Sequence, residues 1–149
     1  AGRRGIDLHP IDLEDPEEEL WLRALVWPDH TGRQERLTEA VGIARESPPS
    51  IERGDASADL PQLLAEAPAD TTLCVYGSYT LYQFPRESVI ATFKAMQAAS
   101  RQRELHFLGI EAYSPAWAEL RWTHYSAGER EVRVLARCSP HGRWLEWID

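Results

Sequence analysis

Ser78, Glu111 and His141 stand in the chain order nucleophile, acid, histidine that serves acyl transfer in hydrolases, each at an expected strand end or turn. That chemistry needs a G-x-S-x-G elbow, whose small residues relieve a strained turn. The flanking positions here are Tyr76 and Thr80, so the triad fails on steric grounds, and His141 in Ser139-Pro140-His141-Gly142 reads as a turn residue. Asp7, His9 and Asp12 could imitate a metal corner, but no second histidine stands at helical spacing. Cys74 and Cys138 lie far apart without paired spacing, which fits reduced thiols better than a disulfide framework or a zinc site, and Cys74 is expected in the core. Gly54 and Gly77 are each a lone glycine after a strand, without the G-x-G-x-x-G spacing that cradles a dinucleotide. Trp117, Trp122, Trp144 and Trp147 could form a binding platform, but bulky aromatics in antiparallel strands more economically pack cross-strand pairs.

The charge balance narrows the partners. The sequence has 24 acids against 16 bases, 15 of them Arg, for a net charge of -8, with the excess acid in the first half of the chain. A duplex-binding protein needs clustered cations to displace phosphate counterions, so nucleic acid is not an expected partner. The densest acidic run, Asp12 to Glu19, has a structural explanation. Asp15-Pro16 is an N-cap followed by proline at the first helical position, and carboxylates in the first turn sit at the positive end of the helix dipole. No apolar run is long enough to cross a bilayer and no charged-then-apolar leader opens the chain, which predicts a cytoplasmic protein. With 149 residues, 43% of them apolar, the chain is expected to form one domain with a real core.

The elements that must position these residues follow from periodicity. Strands are expected at Arg4 to Leu8 and Ser50 to Arg53, with helices at Pro16 to Val26 and Gly32 to Arg45 between them; the first helix is apolar over most of its circumference and should be deeply packed. Asp59 can cap a short helix carrying Leu60, Leu63 and Leu64. Thr72 to Tyr76 is a continuous β-prone run, which predicts cover on both faces as in a parallel sheet. A helix from Pro85 to Gln102 and a strand from Leu105 to Ile110 come next. After Ile110 strands follow without helices, at Glu119 to Tyr125, Glu131 to Cys138 and Trp144 to Ile148, as an antiparallel tail. The order implies an α/β fold, mostly parallel and Rossmann-like, with helices on both faces.

This plan resembles class I S-adenosylmethionine-dependent methyltransferases. Arg4-Gly5-Ile6-Asp7-Leu8-His9-Pro10, Leu20-Trp21-Leu22-Arg23-Ala24-Leu25-Val26-Trp27-Pro28 and Gly142-Arg143-Trp144-Leu145-Glu146-Trp147 are similar to a large bacterial family of unknown function whose longer members look methyltransferase-like. The resemblance implies that this chain is the C-terminal portion of such a domain, with the first strand and its Gly-rich turn upstream of Ala1. It implies S-adenosylmethionine as cofactor for the full-length protein. Asp7, ending the second strand of the family plan, would accept from the ribose hydroxyls; Asp55 would accept from the adenine amino group, with Ala56 beneath the ring, although Asp55 equally reads as a helix cap. Tyr76 and Gly77 would border the cofactor, and Ser78 and Tyr79 would face the methyl group and acceptor. The family's amine methylases place an Asn or Asp there. This chain has no Asn and no acid at that spot, which leaves O-methylation, or a non-catalytic interaction or scaffold module, as the readings. The plan also predicts that Arg4 to Leu8 either pairs with Thr72 to Tyr76 or leaves a gap. The gap would be filled by the N-terminal half of its own chain, or by a second copy in a homodimer through the exposed sheet edge.

Overall fold

In the computed structural model, described for residues 2–28, 31–112 and 114–148, the chain forms two compact units, Ala1–Asp55 and Ala56–Asp149. In the first unit β1 (Arg4–Asp7) pairs in parallel with β2 (Ser50–Arg53), and α1 (Pro16–Ala24) and α2 (Thr31–Glu46) lie between them in sequence. Asp15 caps α1 as expected: its carboxylate accepts from the Glu17 amide at 2.8 Å, and Pro16 occupies the first helical position. The acidic run is therefore helix chemistry. Glu19 is shared between Arg23 at 2.6 Å and Arg45 at 2.7 Å, which ties α1 to α2.

α1 is not deeply packed. Leu20 and Trp21 are 67% and 62% exposed, and Leu25 is exposed too. A helix that is apolar over most of its circumference needs partners all round. The first unit supplies only two four-residue strands and α2, whose Val41 is its one buried apolar side chain among the described residues.

The second unit contains α3 (Ala56–Glu66), β3 (Leu73–Ser78), a 3₁₀ turn (Leu81–Gln83), α4 (Arg86–Ala99), β4 (Leu105–Ala112), β5 (Ala118–Ser126), β6 (Glu129–Cys138) and β7 (Leu145–Trp147). Its sheet has the order β3-β4-β5-β6-β7. Only β3 and β4 are parallel, joined through α4; the remaining three pairings are antiparallel. The mostly parallel sheet read from the sequence is thus a mixed α/β arrangement with a mostly antiparallel five-stranded sheet. The reason is connection length: β4 to β7 are linked by loops too short for a crossover. α3 begins at Ala56, three residues before the expected cap at Asp59, and continues through Pro61.

The core lies where α3 and α4 meet one face of this sheet. Met96, Leu105 and Tyr125 are fully buried, joined by Leu60, Leu64, Thr92 and Phe107. The Phe93 and Phe107 rings meet edge to face at 5.7 Å. A β-carbon at Gly109 would lie 2.8 Å from the Phe107 ring, so glycine there makes room for it. The two-residue hairpin loop at Ala127 and Gly128 takes φ of 53° and 84°, as a mirror-image turn requires.

β3 differs from its expectation. Cover on both faces was expected, but Leu73, Val75 and Gly77 are half-buried while Cys74, Tyr76 and Ser78 are exposed, so one face alone is covered, and among the described residues β3 pairs with β4 only. Continuous apolarity here marks an edge strand, and Cys74 is an exposed thiol, whereas Cys138 is buried.

Candidate functional site

The carboxyl ends of the two parallel strand pairs are where an α/β sheet binds ligands, because helix N-termini and loops converge there. In the first unit the Gly54 amide donates to the Asp7 carbonyl at 2.9 Å, which draws the Gly54-Asp55 corner to the end of β1. Asp7 is exposed, and one of its carboxylate oxygens accepts from the His9 amide at 2.8 Å. Asp55 is exposed and immediately precedes α3, the N-cap position, and Ala56 is the first residue of that helix. Of the residues in the metal-like corner, Asp7 closes a turn on His9, and Asp12 accepts from the Glu14 amide at 2.9 Å. No group of three or more metal-ligating side chains forms among the described residues.

In the second unit the end of β3 is more elaborate than its sequence suggests. Tyr76 is 76% exposed, and Ser78 is still extended, in register with Ile110. A β-carbon added at Gly77 would meet Thr80 only at ordinary contact distance, so space does not demand glycine there. The chain turns at Tyr79, which takes the left-handed backbone at φ 53°. That conformation is uncommon for a bulky residue and is held only by surrounding bonds. Here the Tyr79 amide donates to the Ile110 carbonyl at 2.8 Å, and its carbonyl accepts from the Gln83 side chain at 2.7 Å. The elbow that a nucleophilic serine would need belongs to Tyr79, not Ser78.

Glu111, from the end of β4, completes this turn. Its Oε1 accepts from the amides of Thr80 at 3.2 Å and Leu81 at 2.9 Å. The sequence has no acid within Tyr76 to Tyr79, and the neighbouring strand supplies one. Its other oxygen, Oε2, and the Tyr79 hydroxyl are both buried and without a hydrogen-bond partner among the described residues. Burial pushes the Tyr79 phenol above its ordinary value, and the electrostatic repulsion that its anion would meet from Cys138 and Glu111 adds to it, so the hydroxyl stays a donor at neutral pH. The Tyr82 ring meets the Tyr79 ring edge to face, with centroids 6.4 Å apart.

A second cluster lies on the sheet face opposite the core. His106 and His124 are in register on β4 and β5, stacked at 5.1 Å, and Trp122 stacks on both. The Trp122 indole donates to His106 Nδ1 at 3.3 Å, and Arg133 lies over the Trp122 ring. Trp117 likewise carries Arg137 over its ring at 4.7 Å, whereas Trp144 and Trp147 are exposed. Trp122 thus packs across the strands with its register partner Arg133, and Trp117, just before β5, packs with Arg137. His141 sits in the turn before β7, as expected.

The family model described as "Uncharacterized protein conserved in bacteria (DUF2332)" matches residues 1–147, almost the whole chain. The chain belongs to this family. No curated protein and no solved structure matches it. Membership fixes no reaction, so the family's chemistry has to be sought at the strand ends just described. No helix among the described residues is long and apolar enough to cross a membrane.

Proposed function

We propose that the chain is the C-terminal portion of an S-adenosylmethionine-dependent methyltransferase-like domain, with the methionine-binding Gly-rich turn supplied by sequence upstream of Ala1. The observation that carries the reading is the carboxyl end of β1 and β2, where the Gly54 amide bonded to the Asp7 carbonyl gathers two acids, Asp7 and Asp55, that suit a ribose diol and an adenine amino group. One observation favours a non-catalytic module instead: an Asp7 oxygen is already engaged by the His9 amide, so ribose binding would have to share it or displace that turn.

Calorimetry with S-adenosylmethionine separates the two readings. On the enzyme reading the full-length protein binds the cofactor, and Asp7→Ala and Asp55→Ala each abolish binding, because each removes a charged acceptor. The 149-residue chain alone is expected to show no measurable binding. Absence of binding by the full-length protein would support the module reading, and micromolar binding by the 149-residue chain would refute the division of the site.

A further inference from the structure

The turn after β3 involves two buried hydrogen-bonding groups without a partner among the described residues, one from Tyr79 and one from Glu111. Glu111 uses Oε1 to fix the Thr80 and Leu81 amides and leaves Oε2 buried with no partner among the described residues; the Tyr79 hydroxyl is in the same condition. An unpaired carboxylate oxygen away from water is among the costlier groups a fold can carry, and such orphans call for an explanation in terms of a ligand or a function. The left-handed backbone at Tyr79 stores further strain at the same turn. A segment stabilised only for its own sake would keep neither. The side chain that turns away from the fold is Tyr82, which is exposed and sets its ring edge to face with Tyr79.

A carboxylate oxygen that accepts, on a turn that also carries two tyrosine rings set edge to face, suits one chemical class better than others, because ring faces attract cations. An anion would be repelled by Glu111. A neutral alcohol could donate to Oε2 but would leave the carboxylate charge uncompensated and gain nothing from the rings. An ammonium group satisfies all three. We propose that Tyr79, Tyr82 and Glu111 form a binding site for a small ammonium ligand bearing at least one N–H, which donates to Glu111 Oε2 while its positive charge rests against the tyrosine rings. The site lies wholly within the second unit and does not depend on the cofactor reading.

The test is a ligand-observed NMR titration of the 149-residue chain without cofactor, using n-butylammonium and, as a neutral probe of equal length, n-butanol. Butylammonium is expected to bind at least roughly tenfold more tightly than butanol, and Glu111→Gln to lose at least about tenfold in butylammonium affinity, the scale of one hydrogen bond to a charged group. No butylammonium binding, equal binding of the two probes, or unchanged affinity in Glu111→Gln would each overturn the proposal. Because Glu111 also holds the turn, near-UV circular dichroism checks that variant. If it does not fold, Tyr82→Ala decides, since its exposed ring is not needed for the core. A loss of roughly two- to fivefold is expected there, as for one exposed cation–π contact. Full affinity in Tyr82→Ala would refute the site.

Discussion

Tyr79 carries two burdens that a side chain in an ordinary turn avoids, a left-handed backbone and a buried hydroxyl without a partner among the described residues. Removing the hydroxyl should therefore not weaken the fold. Tyr79→Phe is expected to leave stability unchanged or raise it by up to about 1 kcal/mol in urea denaturation, because the desolvation cost of the orphan group disappears. A clear loss would mean that the hydroxyl is bonded within the fold. Gly109 makes the opposite case. A methyl group there would press on the Phe107 ring at 2.8 Å, so Gly109→Ala should cost about 1–3 kcal/mol, the range for overpacking a filled core. Combining it with Phe107→Leu should recover part of that loss, since neighbouring substitutions are not additive. At this scale the sequence marked Ser78 and Tyr79 by their position after a strand. It could not mark the use of Glu111, because a carboxylate meeting amides some thirty residues earlier is a consequence of β3 and β4 pairing and leaves no local pattern.

Among the elements, type and order were legible wherever periodicity or capping decides them, as with the Asp15-Pro16 cap, the helix read from Pro85 to Gln102 and the strands read from Glu119 to Tyr125 and Glu131 to Cys138. What was not legible is which faces are covered. Leu73 to Tyr76 has the same apolar composition in a central strand as at an edge, and only the number of paired neighbours distinguishes the two. The same holds for α1, whose exposed Trp21 reflects a shortage of partners. Polar contacts add to the apolar core in docking the elements. The Ser100 hydroxyl accepts from the Gly128 amide at 3.1 Å, and the Gln97 side chain donates to the Gly128 carbonyl at 2.7 Å, so the end of α4 grips the β5–β6 turn. Ser100→Ala should cost about 1–3 kcal/mol, because Ser100 is buried and the Gly128 amide would lose its acceptor; thermal unfolding measures it. In the first unit, Arg23 and Arg45 beside Glu19 hold its carboxyl below the usual carboxylate range. A lowered folded value contributes stability above the unfolded value of 4.5 that is lost as pH falls through the folded one. Acidification below that point should therefore loosen the α1–α2 contact. Trp21 fluorescence in a chain whose other tryptophans are replaced by Phe would follow it, and Glu19→Gln should remove this part of the pH dependence.

At the scale of the whole molecule, the two ends of the five-stranded sheet are treated differently, and that asymmetry carries a prediction. β7 is three residues long and places Glu146 between Leu145 and Trp147, a short and charged strand of the sort that blunts edge-to-edge pairing. β3 is six residues long, with no charge, no proline and no irregularity in its pairing with β4. An edge of that kind is a template for another strand, so it is undefended unless something covers it. In the methyltransferase-like reading the cover is a strand from upstream sequence; for the 149-residue chain on its own, the available strand is β3 of a second copy. That chain should therefore self-associate with rising concentration in sedimentation analysis. Tyr76→Lys, which places a charge on an already exposed side chain, should suppress the association without lowering the unfolding temperature. If the upstream strand occupies the same edge, the longer protein should remain monomeric at concentrations where the 149-residue chain associates, and Tyr76→Lys should leave its sedimentation unchanged. Association that is insensitive to Tyr76→Lys would place the contact elsewhere and remove the open β3 edge as an argument for a missing strand.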